Sequence, residues 1–166
     1  MASAAQVMGA RKAVPFSALL RWSWWAMVPL ALAALACTVP WLLTRSPGLG
    51  LALQRGFALV CHQRPERSII LFGGTIAVCA RCLGIYLGAA AGLLMRASRE
   101  VAWRSLIAAI AINLMDGFAE FAGAHGNWMA ARFVLGFALG VAGAMMGTSF
   151  QPNRQLATNR SQLAIE

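Results

Sequence analysis

The chain is 166 residues long, 60% of them hydrophobic and only 11% charged, with a net charge of +9 from 14 Lys and Arg against 5 Asp and Glu. Soluble domains carry about 25% charged residues, so this composition excludes a water-covered globular surface and points to an integral membrane protein. The basic excess then reads as membrane topology and headgroup contact rather than nucleic-acid binding, and 4 Cys are too sparse for a small secreted disulfide scaffold.

Residues 1–22 read as a cytoplasmic N-terminal segment, 23–150 as an all-α transmembrane domain and 151–166 as a polar, aperiodic, disordered cytoplasmic tail. The first span is Ser23 to Leu43, 21 residues without a charge, where about 20 suffice to cross the hydrocarbon core. Trp22, Trp24 and Trp25 mark one end and Trp41 the other, as interfacial aromatics do. Pro29 and Pro40 are expected to bend this helix rather than end it. Ala34-Leu35-Ala36-Cys37 weakly resembles a lipoprotein cleavage site. The apolar run continues through Trp41-Leu42-Leu43, however, well beyond a signal h-region of about 7–15 residues, and is read as a retained span.

Thr44 to Thr75 forms an external loop that is too apolar for a plain linker; Leu49 to Val60 is expected to lie as a short interfacial helix against the bundle. The second span is placed at about Ile76 to Met95, the third at Ser105 to Ala124 and the fourth at Trp128 to Phe150, a bundle of four transmembrane helices. Eight Lys and Arg flank the spans on one side (Arg11, Lys12, Arg21, Arg96, Arg99, Arg104, Arg154, Arg160) and four on the other (Arg45, Arg55, Arg64, Arg67). The positive-inside rule then puts both termini in the cytoplasm of a cell-membrane protein.

With that topology, polar residues from separate segments meet at the extracytoplasmic end. The loop supplies Cys61-His62-Gln63-Arg64-Pro65-Glu66-Arg67-Ser68 and the second span opens with Cys79-Ala80-Arg81-Cys82. At 1.5 Å per residue from Trp103, Asp116 lies about 20 Å and Glu120 about 26 Å up the third span; His125, Asn127 and Arg132 complete the outer turn. Ionisable groups inside a membrane are functional candidates by default.

Cys61-His62 and Cys79-x2-Cys82 have the spacing of a Cys3His zinc site, with Arg81 offsetting thiolate charge. Adjacent residues point apart on a regular backbone, so His62 ligates directly only if the loop is irregular; otherwise it supports the ligands from outside. The same cysteines also suit a disulfide stapling loop to helix. Cys37, alone in mid-span, reads as packing.

Asn113, Asp116 and Glu120 share one helix face, which must turn away from lipid. The structural reading is an ion pair from Asp116 or Glu120 to Arg132, and Asp116–Arg132 is the pairing chosen; the functional one makes Asp116, Glu120 or Glu66 a general base or ligand. Gly84, Gly88 and Gly92, and Gly136 and Gly140, repeat every four residues. Such faces allow close helix approach within the bundle, in a homo-oligomer or in a larger membrane complex.

The two Cys motifs, with Leu83-Gly84-Ile85-Tyr86-Leu87-Gly88 after the second and Asp116-Gly117, Asn127, Arg132 and Gly136 further on, resemble a family of small prokaryotic integral membrane proteins classed as a domain of unknown function. Leu83 and Gly126 stand where that family is expected to carry Thr and Ser. The resemblance covers about Val60 to Gly140 and implies that Cys61, His62, Cys79 and Cys82, supported by Gln63, Arg67, Arg81, Asn127 and Arg132, act as a unit; it implies no particular reaction. Three functions fit these residues: a membrane protein with a zinc site, a thiol–disulfide oxidoreductase using Cys79 and Cys82, and a non-enzymatic accessory subunit of a membrane complex.

Overall fold

The computed structural model describes residues 16–149 except 96, 125 and 127, with side chains described from residue 24 onward. The order is α1 (Phe16–Arg45), α2 (Pro47–Ala58), a 3₁₀ turn (Pro65–Arg67), a minimal hairpin of β1 (Ile70–Leu71) and β2 (Gly74–Thr75), then α3 (Ala80–Leu94), α4 (Arg99–Phe121) and α5 (Met129–Ser149). The all-helical expectation holds. The tail from residue 151 on and the chain before residue 16 lie outside the described residues, while α1 starts at Phe16, inside the segment read as its cytoplasmic lead.

Among the described residues, three helices are long and apolar enough to cross a membrane: Trp24–Arg45 of α1, α4 and α5. The second expected span differs. Hydropathy places it from Ile76, but α3 starts only at Ala80, with Cys79 as its N-cap, and has 15 residues. That is about 22 Å of helix against a core of about 30 Å. Residues 76–79 are irregular backbone instead. Hydropathy could not separate the two conformations, because Ile76, Ala77 and Val78 are as apolar as the helix they precede and as deeply buried.

The helices pack side by side in the order α4, α5, α3, α1, with α2 folded back on α1. Bulky side chains face outward (Trp24, Trp25 and Leu30 on α1; Leu114, Met115 and Phe118 on α4), while Ala26, Ala33 and Ala36 are buried. This inversion suits lipid, where helix association depends on close packing of small residues rather than on escape from water. It is most pronounced between α3 and α5. A side chain at Gly84, Gly88 or Gly92 would run into the backbone of Phe133, Phe137 or Val141, and one at Gly136 or Gly140 into that of Arg81 or Ile85. Both glycine faces thus pack against each other within the chain. Pro29 and Pro40 lie inside a continuous α1, as expected.

Candidate functional site

The irregular run before α3 owes its place to Pro40. Proline has no N–H, so Ala36, four residues earlier, lacks its helical donor. The Ala77 N–H supplies it, 3.2 Å from the Ala36 carbonyl oxygen. The Ala77 carbonyl in turn accepts from Gln63 Nε2 at 2.8 Å, and the same nitrogen donates to the Gln54 carbonyl at 2.6 Å. Gln63 takes a positive φ of 48°, which reverses the chain after α2 so that its amide can reach both carbonyls. Irregular backbone buried among apolar side chains needs such internal partners, since those side chains offer none. In the sequence Pro40 reads only as a bend; the carbonyl that a mid-helix proline must orphan is the further signal it carries.

This docking fixes three thiols. Cys61 follows α2 and is held by its N–H to the Phe57 carbonyl at 2.9 Å. Cys79 caps α3 and Cys82 lies one turn on. The Sγ atoms of Cys61, Cys79 and Cys82 all lie within 4.8 Å of one another, and all three cysteines are free thiols. Sulfurs on a tetrahedral zinc, with Zn–S about 2.3 Å, are about 3.8 Å apart, so the cluster is within a small adjustment of metal-binding geometry. Cys61 Sγ accepts the Cys79 N–H at 3.2 Å. Hydrogen bonds from the Cys79 and Cys82 side chains hold the Cys61 thiol well below its ordinary range, against the opposing effect of burial. A sulfur poised as thiolate is the form that ligates or attacks.

His62 does not join this group: Cys61 is buried and His62 exposed, as adjacent residues on a regular backbone would be. It borders the cavity of about 260 Å³ onto which all three cysteines open. Four arginines, Arg64, Arg67, Arg81 and Arg132, line the same cavity. Asn113, Asp116 and Glu120 do turn inward. Asn113 Nδ2 donates to the Leu135 carbonyl at 3.1 Å, joining α4 to α5. The ion pairs correct the expected Asp116–Arg132 match. Asp116 pairs with Arg81, and Glu120 takes Arg132 together with Arg67, the latter at 2.6 Å. The reason is register: Arg81 sits level with Gly136, one turn deeper than Arg132, so the deeper carboxylate meets the deeper guanidinium. Glu66 is exposed on the 3₁₀ turn, and His125 and Asn127 lie outside the described residues. Cys37 packs against the apolar cluster around Ala36 and Val39, in line with a packing role. Arg64 was not singled out by the sequence reading; it became visible only once the 3₁₀ turn put it beside Arg67.

Apolar helices, three of them long enough to span a bilayer, and a polar three-cysteine cavity at one end define a helical membrane protein with a candidate ligand or metal site. The chain belongs to the family described as "Predicted membrane protein (DUF2085)", which matches residues 61–146, more than half of it. It is 33% identical over 100 residues to an uncharacterized protein of Methanocaldococcus jannaschii, a match covering 55% of this chain and 64% of that one. It is 32% identical over 95 residues to an uncharacterized protein of Methanothermobacter thermautotrophicus, covering 54% and 86%. The match therefore spans a little under two thirds of the first relative's length. No solved structure matches the chain. The family match begins at Cys61 itself.

Proposed function

We propose that this protein holds one zinc ion on Cys61, Cys79 and Cys82 at the extracytoplasmic end of a four-span bundle with both termini in the cytoplasm. The observation that carries the reading is the convergence of three thiols from two segments within 4.8 Å. Hydrogen bonds from Cys79 and Cys82 favour the thiolate form of Cys61. Three protein ligands would leave a fourth tetrahedral position, which His62, water or a molecule bound in the adjoining cavity could complete. Asp116 and Glu120 are engaged by guanidinium groups, which suits them to positioning Arg81 and Arg132 rather than to taking protons. The four-span count draws support from the irregular run: residues 76–79 add at most about 13 Å to the 22 Å of α3, enough together to cross about 30 Å. The basic flanks of the spans support the orientation.

Elemental analysis of the detergent-purified protein tests the site. The expected content is one zinc per chain, lost in Cys79→Ser and Cys82→Ser and kept in Cys37→Ser. Loss of zinc in His62→Ala would make His62 the fourth ligand, and retention would leave that position to water or a bound molecule. A metal-free wild-type protein whose Cys61 alkylates equally with and without chelator refutes the metal reading. If that protein also carries a reducible Cys79–Cys82 bond, the oxidoreductase reading replaces it.

A further inference from the structure

The cysteines account for one wall of the cavity and leave the arginines unexplained. Four arginines line a space of about 260 Å³. Structural salt bridges alone would need only as many cations as there are carboxylates. Two carboxylates, Asp116 and Glu120, serve Arg81, Arg67 and Arg132, with Glu120 shared between the last two. Three thiolates on a divalent ion carry one net negative charge, and three protonated thiols carry none, so the cavity keeps an excess of positive charge either way. Arg132 is the most costly member, a charged side chain only 4% exposed. Its Nε, and that of Arg81, have no hydrogen-bond partner among the described residues. A buried cation with unused donors is unfavourable unless something else supplies acceptors.

We propose that this cavity is a binding site for a phosphate group, held by Arg64, Arg67, Arg81 and Arg132 beside the three-cysteine cluster. Planar guanidinium forks match phosphate oxygens two at a time. A tetrahedral group with several acceptor oxygens can serve guanidiniums arriving from the 3₁₀ turn, α3 and α5 at once, whereas a carboxylate has only two oxygens and the protein already provides two carboxylates of its own. The cavity admits a free phosphate ion or the phosphate of a lipid headgroup by the same chemistry. The site goes beyond the zinc reading and stands on the arginines.

Full-length protein in phosphatidylcholine nanodiscs is titrated calorimetrically with inorganic phosphate, zinc content being measured on the same samples. Lipid retention is read by native mass spectrometry from discs that also contain phosphatidic acid. Saturable phosphate binding, unaffected by chloride at matched ionic strength, is expected to weaken at least tenfold in Arg64→Gln and in Arg132→Lys, which keeps the charge facing Glu120 but removes the fork. Retention of phosphatidic acid over phosphatidylcholine, lost in Arg64→Gln, is the equivalent result for a headgroup. Arg64 is exposed on the cavity rim, so its variant reports even if Arg132→Lys fails to fold. Binding of neither probe, or binding that Arg64→Gln leaves unchanged, overturns the proposal. Zinc-loaded protein without phosphate binding overturns it alone; metal-free protein that binds phosphate overturns only the zinc reading.

Discussion

Replacing Gly136 by alanine tests whether the α3–α5 contact holds the site together. A Cβ there would stand 2.9 Å from the Arg81 carbonyl carbon and 3.0 Å from its Cα, with the carbonyl oxygen closer still. Favourable carbon contacts start near 3.5 Å, so α5 and the first turn of α3 must separate by roughly 0.6 Å or more. The obstructing atoms are backbone and cannot rotate aside. Overpacking of this kind costs about 1–3 kcal/mol, offset by up to about 1 kcal/mol from alanine's better helix propensity. A net loss of about 2 kcal/mol would lower the unfolding midpoint by roughly 4–8 °C for a chain of this size. Gly143 is the control: nothing lies within 4 Å of a Cβ there, so Gly143→Ala keeps only the propensity gain. Arg81 sits between two of the site cysteines, so the displaced turn should also weaken zinc retention, where ligand distances must hold to about 0.2 Å. Thermal unfolding followed by circular dichroism in one detergent, with zinc measured before and after dialysis against chelator, reads both effects. If Gly136→Ala melts within a degree of Gly143→Ala, the helices do not approach this closely in the folded protein and the argument fails.

Two other consequences can be checked directly. Glu120→Gln strips Arg132 of its counter-ion and should cost about 3 kcal/mol, as breaking a buried pair does; adding Arg132→Met should restore part of that stability, and simple additivity in the double mutant would show that the two residues do not share an interaction. For orientation, Ser46→Cys is expected to react with a membrane-impermeant maleimide in intact cells, above the wild-type signal, and Glu100→Cys only after permeabilisation; the opposite pattern would invert the topology.

Much of the site was legible because lipid punishes polarity. Asp116 and Glu120 had to turn inward, the glycine repeats had to meet a neighbouring backbone, and three of the four expected ligands had to share an end of the bundle once the spans were placed. The partner choices were not legible. Arg67, Arg81 and Arg132 are equally basic in sequence, and only the register of α3 against α5 assigns Arg81 to Asp116 and leaves Arg132 to Glu120. The start of α3 was hidden for a different reason. In a membrane, hydropathy reports which residues avoid water but says nothing of their backbone, because helix and irregular chain are equally apolar there. What distinguishes them is the supply of hydrogen-bond partners. Helical residues find theirs four positions away; Ala77 has the Ala36 carbonyl and the Gln63 amide instead. One acceptor exists because Pro40 vacates it, and the other partner arrives because Gln63 tolerates a positive φ. With both in place the chain can stay non-helical until Cys79, and the turn that follows sets Cys79 and Cys82 against Cys61. A proline in one helix thereby decides where the thiols of another can meet.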